Sequence, residues 1–509
     1  MPLIGKLLKS ALEITDKVIP EASPVSEQDA TLKELLSKAK NTQLGKKYRF
    51  DDLLQEENVA AAFAANVPYH SYEQMYEQWW IKQIEGEENV SWPGKPGFYA
   101  LTSGTTSNHS KHIPVTHDML DAIRKTGRLQ VLAMSNFNLP SAFFQSEIMM
   151  LSSSTDLVHD EKSNSRKGEI SGISASNIPS WFKNFYRPGD EISAIDNWDE
   201  RVEAIARCAP EWNIGALCGI PSWNELMLKK IIEYHGLKHI HEIWPNLQVF
   251  ASGGVAFGPY QKTFNALMGK PITVIDTYLT SEGFLAYQTR PRPDMSMRLS
   301  THAGIYFEFV PFKDENVDEK GEVKPGAPAL SLAQIEEGKD YVLVISTVSG
   351  AWRYMIGDTI RFTSKEHAEI IITGRTKHFL NVVGSQLSVM KMNDAMKKLE
   401  EKFDLRIPEF TVAAVKSGDD FKHHWYLGAE GTAGEEEVAS ALDDHLQQAN
   451  KNYKVARNKA LKGIQVTLVK PDVFYNWNEK QKKKGGQVKM SRVMKEDEFS
   501  EWKAFADKR

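Results

Sequence analysis

Between Trp92 and about Arg375, the sequence alternates between helical stretches and short runs rich in β-branched and aromatic residues. The runs include LQVFASGG, ITVIDTYLT, IYFEFVP and YVLVISTVSG. Strands interleaved with helices are typical of layered α/β domains, in which helices cover the faces of a sheet. This part of the chain is therefore predicted to form an α/β domain around a largely parallel or mixed sheet.

The two ends of the chain have a different pattern of predicted helices and strands. Before Val90, SEQDATLKELLSKAK and SYEQMYEQWWIKQIEG predict helices, the second with Ser71 as its N-cap. After GRTKHFLNVVG, predicted strands (FTVAAV, HHWYLGAE, IQVTLVKP) are interleaved with predicted helices (EEEVASALDDHLQQANKNY, EDEFSEWKAF). Because 509 residues exceed what one core usually serves, we predict a large α/β domain over residues 1–376 and a small α+β domain over residues 377–509.

Composition argues against several classes of partner. Lys and Arg number 62 against 67 Asp and Glu, so the chain lacks the basic excess of a duplex nucleic-acid binder. Cys208 and Cys218 are too few for a disulfide framework or a cysteine-rich zinc site, and they fit a reducing, cytoplasmic location. No apolar run reaches the roughly 18 to 20 residues that span a bilayer. We expect neither nucleic acid nor membrane as a partner, and the oligomeric state stays open.

Common catalytic signatures are missing from the sequence. It contains no GxxxxGK[ST] phosphate loop, no GxGxxG after a predicted strand, no GxSxG elbow and no HExxH zinc motif. Any catalytic or ligand-binding residues must therefore belong to segments that lack these standard motifs.

The segment TSGTTSNHSK, residues 102–111, is rich in short hydroxyl side chains around Gly104 and ends at Lys111. Glycine lets backbone N–H groups approach an anion, hydroxyl groups donate hydrogen bonds, and the lysine adds a mobile positive charge. These are the groups that a polyphosphate needs. On composition alone, a polar loop without a ligand remains the commoner interpretation.

Three later segments place reactive side chains at or after predicted strands. Tyr278 offers an aromatic face for adenine, and Glu282 offers a carboxylate for a magnesium ion that shields phosphates. Asp358, after the predicted turn at Gly357, can accept both ribose hydroxyl groups. Arg375 ends another predicted strand with a fork-shaped donor for ribose or phosphate. Each signal is weak alone, since an aspartate after a glycine usually marks only a turn.

In this order, TSGTTSNHSK, YLTSE, YMIGD and GRTKHFLNVVG resemble the nucleotide motifs of the adenylate-forming superfamily, which contains acyl-CoA synthetases, peptide-synthetase adenylation domains and luciferases. The sequence is more similar still to the Gretchen Hagen auxin-responsive family of acyl acid amido synthetases, especially its bacterial members. Further family-like segments are WPGKPGFYALTSGTT, KHIPVT, GIPSWNELML, VFASGGVAFGPY, VISTVSGAWRYMIGDTIRFT, ITGRTKHFLN and GGQVKMSR. The resemblance extends from about Leu32 to Arg492 and implies a large adenylate-forming domain followed by a small mobile domain.

The resemblance also implies roles for individual residues. Three groups would bind ATP, namely the phosphate loop, the turn against which adenine lies, and the second nucleotide motif with its metal-binding glutamate. In that order they are Thr102, Ser103, Gly104, Thr105 and Thr106; Gly253, Gly254 and Val255; and Tyr278, Ser281 and Glu282. Asp358 and Arg375 would contact the ribose or a phosphate. Lys489 and Lys111 would be the catalytic cations, and Lys377 the hinge between the domains.

The implied activity is that of an AMP-forming ligase. With ATP and Mg²⁺, a small carboxylic acid would become an acyl-adenylate, and the amine of an amino acid would then displace AMP. Trp181, Trp223 and Phe284 are candidate walls of the acid pocket, although aromatic residues mostly pack in cores. The identities of the acid and the amine are not readable from the sequence.

Two other functions remain open. An acyl-CoA ligase would use the thiol of coenzyme A in place of the amine. A nucleotide-binding protein without catalysis is the other, because Asn108, Leu279 and Met490 depart from the motifs of related enzymes. Exchange of pyrophosphate into ATP tests for adenylation, and the product formed with an amino acid or with coenzyme A separates the two ligases.

Overall fold

The computed structural model describes most of the chain. The described residues are 23–102, 111–180, 182–255, 257–318, 321–376, 387, 389–417, 420–457, 461–481, 490–494 and 496–508. They divide into two compact units. The first contains the described residues up to Phe257 together with Thr263–Ile371, and the second contains Gly258–Lys262 together with the described residues from Ile372 onwards.

Helices open the first unit, as predicted. They are α1 (Pro24–Ala39), α2 (Gln43–Lys47), α3 (Phe50–Leu53), α4 (Val59–Asn66), α5 (Tyr72–Met75) and α6 (Ile81–Ile84). Ser71 caps α5 in a reciprocal capping box with Gln74, which confirms the predicted N-cap. The single helix predicted after Ser71 is instead interrupted by a π-helical turn at Tyr76–Trp80.

Strands and helices then alternate, which confirms the predicted α/β pattern. In chain order they are β1 (Phe98–Thr102), β2 (Lys111–Val115), α7 (His117–Ala133), β3 (Glu147–Met150), β4 (Val158–Asp160), β5 (Ser165–Gly168), α8 (Ile170–Ser176), β6 (Tyr186–Arg187), α9 (Asp190–Ser193), α10 (Trp198–Cys208), β7 (Ile214–Gly219), α11 (Pro221–His235), β8 (Val249–Gly253) and α12 (Gln261–Leu267). Short 3-10 turns lie at Met134–Asn136, Phe143–Gln145, Lys183–Phe185, Ala209–Glu211, Ile240–Glu242 and Gly258–Tyr260.

A mostly antiparallel stretch follows. Its strands are β9 (Thr273–Thr280), β10 (Gly283–Tyr287), β11 (Met297–Leu299), β12 (Ile305–Pro311), β13 (Asp340–Thr347), β14 (Tyr354–Ser364) and β15 (Glu369–Arg375). Among the described residues, one small sheet has the order β2-β1-β5-β4 and one large sheet the order β12-β13-β14-β15-β11-β10-β9-β8-β7-β3-β6. The large sheet is mixed, as predicted, because β9, β8, β7, β3 and β6 pair in parallel and β9 to β14 contain antiparallel pairs.

The parallel strands determine where a ligand can be held. Their carboxyl ends lie along one edge, at Thr280 on β9, Gly253 on β8, Gly219 on β7, Met150 on β3 and Arg187 on β6. In open α/β sheets, ligands bind outside the carboxyl ends of the strands. This edge is therefore where the fold favours a binding site.

A buried ion pair fixes the start of β14 against the N-terminal helices. The Nε atom of Arg353 lies 3.0 and 3.1 Å from the carboxylate oxygens of Glu308, and both side chains are buried. The Nη1 atom of Arg353 also donates to the carbonyl oxygens of Ala64 and Val67. A buried guanidinium with its donors satisfied holds its neighbours in place, because removing one partner leaves an uncompensated charge.

The second unit contains an α+β arrangement. Its described elements are α13 (Val389–Phe403), β16 (Arg406–Ser417), β17 (Asp420–Glu430), α14 (Glu435–Ala449), α15 (Lys451–Arg457), β18 (Leu461–Val469), α16 (Pro471–Gln481) and α17 (Glu496–Ala506). The strands form a sheet in the order β16-β17-β18. Val412 and Trp425 belong to one buried cluster, and their chain neighbours Ala413 and Tyr426 to another. Helices therefore cover both faces of this small sheet.

In the part of the chain that the structure describes, no helix is both long enough and apolar enough to cross a membrane.

Candidate nucleotide site

The carboxyl ends of β8 and β9 approach each other closely at Gly253. Gly253 is the register partner of Thr277 in this parallel pair, and the Thr277 hydroxyl donates to the carbonyl oxygen of Ser252 at 2.8 Å. A Cβ atom at Gly253 would lie 2.7 Å from the Thr277 Oγ1 atom. The close contact explains why a glycine stands at this position. Gly254 follows with a φ of 84°, which turns the chain away from the sheet.

The YLTSE segment forms the end of β9 and the turn into β10. Tyr278 is buried within β9, whereas Ser281 and Glu282 lie in the turn before Gly283. The strand covers Thr273–Thr280, which agrees with the β-rich run ITVIDTYLT of the sequence. Glu282 is also buried, and its backbone N–H donates to the Thr280 hydroxyl at 3.2 Å. The glutamate is thus placed at the sheet edge rather than in an open loop.

Asp358 lies directly against Tyr278. The Tyr278 hydroxyl donates a hydrogen bond to the Oδ2 atom of Asp358, and both side chains are buried. We predicted that Asp358 follows a glycine turn, but this is wrong. It lies inside β14, beside Gly357, which has a φ of 86°. The β13–β14 pairing is irregular here, and a glycine with positive φ is what a β-bulge within a strand allows.

The Tyr278–Asp358 contact requires the large sheet to curl. Strands β15, β11 and β10 lie between β14 and β9 in the sheet order. Neighbouring strands are spaced by roughly 4.8 Å, so four steps in a flat sheet would separate β14 from β9 by about 19 Å. A direct hydrogen bond across that interval means that the sheet folds over, which places two of the predicted nucleotide motifs face to face.

Thr102 and Lys111 are register partners in the antiparallel β1–β2 pair. The predicted phosphate-binding residues between them, Ser103, Gly104, Thr105 and Thr106, lie outside the described residues. The Nζ atom of Lys111 lies 4.7 Å from the centroid of the Tyr72 ring. From Tyr72 a series of ring contacts passes through Trp80, at 5.9 Å, to Tyr354 at 5.6 Å. Lys111 therefore belongs to the same packed region as the start of β14.

Asp276 is a candidate residue that the sequence analysis missed. It lies two positions before Tyr278 on β9, so the two side chains point to the same face of the strand. Burial raises the pKa of the Asp276 carboxyl to about 6. A raised pKa next to predicted ligand-binding residues is a general indication of a functional site. The signal available in the sequence was an aspartate inside a β-rich run, which is an unusual place for a charge.

Some of the remaining predicted residues lie within the described part of the chain and others do not. Arg375 ends β15 and belongs to the second unit, while Lys377, Lys489 and Trp181 lie outside the described residues. Phe284 is buried and packs with Ala133 and Tyr287 in a small core cluster. Trp223 lies on α11, 4.8 Å from the Trp198 ring. Val255 follows Gly254 beyond β8.

A metal ion at this site would depend on few protein ligands. The described residues contain no group of three or more His, Cys, Asp or Glu side chains placed to hold a metal. Mg²⁺ commonly binds through one or two carboxylates together with substrate phosphates and water. Glu282 at the sheet edge fits that kind of site and would not fit an all-protein cage.

The described residues thus provide a glycine turn, an aromatic ring and three acidic side chains around the carboxyl ends of β8 and β9 and the facing part of β14. A glycine turn allows close approach, a ring can stack on a base, and a carboxylate can accept hydrogen bonds from a sugar. The arrangement suits a nucleoside phosphate.

Solved structures define the class of fold. The chain superposes on the GH3.15 acyl acid amido synthetase with a TM-score of 0.77 and 16% identity, covering 98% of this chain and 96% of that one. A 2-hydroxyisobutyryl-CoA ligase in complex with an acyl-AMP superposes with a TM-score of 0.55 and 11% identity, covering 94% and 91% of the two chains. The protein has the fold of the acyl acid amido synthetases, within the wider architecture of adenylate-forming ligases.

Family models then identify the family. The GH3 family N-terminal domain matches residues 21–209 and 131–273, the central domain matches residues 299–372, and the C-terminal domain matches residues 390–498. The chain belongs to the GH3 family, the Gretchen Hagen family that the sequence motifs resemble.

Curated relatives are plant enzymes that match parts of the chain. The indole-3-acetic acid-amido synthetase GH3.8 of Oryza sativa subsp. indica is 26% identical over 255 residues, 46% of this chain and 41% of the relative. The jasmonoyl-L-amino acid synthetase JAR4 of Nicotiana attenuata is 23% identical over 260 residues, 48% and 43% of the two chains. The chain thus spans less than half the length of each of these relatives.

Proposed function

We propose that the protein is an ATP-dependent acyl acid amido synthetase, an AMP-forming ligase that joins a carboxylic acid to the amine of an amino acid. The observation that carries the proposal is the hydrogen bond from Tyr278 to Asp358, which joins two predicted nucleotide motifs of a GH3-family chain across the curled sheet. Gly253, packed against Thr277, adds the turn of a third segment to the same region.

The first half-reaction is adenylation of the acid. A carboxylate oxygen attacks the α-phosphorus of ATP, a new phosphorus–oxygen bond forms, and the bond to the β-phosphate breaks to release pyrophosphate. Tyr278 stacks on adenine beside the Gly253–Gly254–Val255 turn, and Asp358 accepts the ribose hydroxyl groups. Thr102, Ser103, Gly104, Thr105, Thr106 and Ser281 bind the phosphates. The protein's contribution is positioning and charge stabilisation, because the reacting bonds belong to the substrates.

Cations offset the charge that develops on the phosphates. In this proposal Glu282 would hold Mg²⁺, which would supply a fixed positive charge to offset that of the phosphates. Lys489 approaches the α-phosphate during adenylation, and Lys111 balances charge at the end of the phosphate segment. Lys377 is the hinge about which the second unit turns between the half-reactions, and Arg375, just before it, contacts the ribose or a phosphate.

The second half-reaction transfers the acyl group. The amine nitrogen attacks the acyl carbon and a carbon–nitrogen bond forms. The bond from the acyl carbon to the bridging oxygen breaks, AMP leaves with that oxygen, and the amine loses a proton. Trp223, Phe284 and Trp181 are the proposed walls of the acid pocket. Small carboxylic acids and amino acids are thus the proposed substrates.

Pyrophosphate exchange tests this function. The protein is mixed with ATP, Mg²⁺, labelled pyrophosphate and each member of a panel of aliphatic and aromatic acids. We expect acid-dependent labelling of ATP for at least one acid, followed by amide formation when amino acids are added. Exchange followed by a product with coenzyme A and none with amino acids would establish the thioester ligase instead. A lack of exchange with every acid, together with intact ATP binding, would establish a non-catalytic nucleotide-binding protein.

A further inference from the structure

Arg201 on α10 is a buried arginine with two unsatisfied nitrogen atoms. The residue is 4% exposed, and its Nε and Nη1 atoms have no hydrogen-bond partner among the described residues. In the part of the chain that the structure describes, no carboxylate forms an ion pair with it. Arg353, the comparably buried arginine of the same unit, shows the contrast, since it pairs with Glu308 and two carbonyl oxygens.

A buried arginine with unsatisfied nitrogen atoms destabilises the folded state. A guanidinium cannot lose its proton in a protein, and burying a charge without partners is unfavourable. Burial lowers the pKa of Arg201, and Asp196, Tyr186 and Glu169 oppose that shift electrostatically without satisfying the two nitrogen atoms. A bound anion would explain this side chain, because it would accept hydrogen bonds from the two nitrogen atoms and balance the positive charge.

The surroundings of Arg201 are those of a binding edge. Tyr186, one of the groups that influence the pKa of Arg201, begins β6, and its hydroxyl lies 2.7 Å from the Ser193 hydroxyl. Ser152, whose side-chain hydrogen bond opposes the rise in the pKa of Tyr186, follows the carboxyl end of β3. Both β3 and β6 end at the same edge of the sheet as β8 and β9. Arg201 thus lies further along the edge that carries the candidate nucleotide site.

Arg201 also adjoins a proposed wall of the acid pocket. Its guanidinium carbon lies 5.4 Å from the centroid of the Trp198 ring, and that ring lies 4.8 Å from the ring of Trp223. An aromatic ring beneath a guanidinium orients its plane and leaves the edge donors available to a ligand.

We propose that Arg201 binds a carboxylate of a substrate, in addition to the carboxylate that becomes adenylated. The inference rests on the proposed function. A guanidinium presents parallel N–H donors that match the two oxygens of a carboxylate. Two sources can supply this group, the far end of a dicarboxylic acid substrate or the α-carboxylate of the amino acid acceptor. Because Trp223 is a proposed wall of the acid pocket, the position of Arg201 near it favours the dicarboxylic acid.

The first experiment measures binding without catalysis. Wild type, Arg201→Met and Arg207→Met are melted with the unbranched dicarboxylates from succinate to suberate, the monocarboxylates of equal length, and alanine, at matched ionic strength. Arg207 is the matched control, since it is exposed on the same helix. We expect at least one of these compounds, a dicarboxylate or alanine, to raise the melting temperature of wild type and of Arg207→Met more than the monocarboxylate of equal length does. By calorimetry, we expect the same compound to bind Arg201→Met at least tenfold more weakly than it binds wild type.

Further variants keep this result interpretable. Arg201→Lys retains the charge without the planar fork, so we expect intermediate binding, and it replaces Arg201→Met if that variant does not fold. Without ligand, Arg201→Met is expected to melt above wild type, because a buried unpaired charge has been removed. Equal responses of wild type and Arg201→Met to every carboxylate would mean that water satisfies the guanidinium, and would overturn the proposal.

Kinetics assign the carboxylate to its source. In pyrophosphate exchange without amino acid, a KM for the acid raised at least tenfold in Arg201→Met assigns Arg201 to the acid. A raised KM for the amino acid alone, in amide formation at saturating acid, assigns it to the acceptor. Unchanged KM values for both substrates would overturn the proposal. Absence of exchange in wild type counts against the proposed function, whereas the melting experiment still decides on the carboxylate site.

Discussion

The Tyr278 hydroxyl on β9 donates a hydrogen bond to the Asp358 carboxylate on β14, across 80 residues of sequence and three intervening strands. Both side chains are buried, so neither group can exchange this contact freely for water. The contact gives Asp358 two tasks in our proposal, to hold the curled sheet together and to present its remaining oxygen to a ribose.

Removal of the tyrosine hydroxyl tests the structural task. Tyr278→Phe keeps the ring and leaves a buried carboxylate with fewer donors, so we expect a loss of about 1.5–3 kcal/mol of unfolding free energy, the range for hydrogen bonds to charged groups. Urea denaturation measures it, with Asp358→Ala and the double variant completing a cycle. Energies that simply add in the double variant would show that the two side chains do not interact.

Asp358→Ala tests the ligand task. We expect ATP affinity to fall by about 10- to 100-fold, since a charge-assisted hydrogen bond is lost. The buried contact with Tyr278 predicts a moderate loss of stability as well. Calorimetry with ATP measures the affinity of the folded variant. Asp340→Ala on the neighbouring strand, where Asp340 pairs with Arg361, is the matched control and should bind ATP as wild type does.

Asp276 makes stability depend on pH. Burial raises its pKa from an ordinary 3.8 to about 6 in the folded protein, so the folded state holds more protons between these values. Stability contributed by this residue therefore falls as pH rises from about 4 to 6. We expect Asp276→Asn to be close to wild type in stability at pH 4 and to exceed it by about 2–3 kcal/mol above pH 7. A constant difference across that range, measured by denaturant titration, would show that burial does not perturb this carboxyl.

Lys489 is predicted to act in the adenylation step. We expect Lys489→Ala to slow pyrophosphate exchange by about a hundred- to a thousandfold, the usual effect of removing one charge-stabilising donor. ATP affinity should change little, because the lysine acts in the transition state. Lys462→Ala, at an exposed position on β18, is the control in the same unit. Exchange at the wild-type rate in Lys489→Ala would remove this residue from the mechanism.

Local patterns predicted much of the fold. Ser71 caps its helix as expected, because a capping box depends only on residues three positions apart. The strands around Thr277 and Tyr278 follow from their β-branched and aromatic content, and the mixed sheet follows from their alternation with helices.

Long-range geometry was not predictable in the same way. Asp358 was expected to follow a turn at Gly357. Pairing with β13 instead draws both residues into β14 and leaves the glycine at an irregularity in that pairing. The meeting of Tyr278 with Asp358 depends on how far a sheet of many strands curls. The burial of Arg201 likewise arises from tertiary packing, because helix periodicity does not distinguish a buried arginine from an exposed one.

A structure of the protein with AMP or a non-hydrolysable ATP analogue tests the central claim most directly. The account predicts adenine against Tyr278 and the Gly253–Gly254 turn, with the ribose hydroxyl groups on Asp358. Nucleotide bound away from Tyr278 and Asp358, with their mutual hydrogen bond undisturbed, would contradict it.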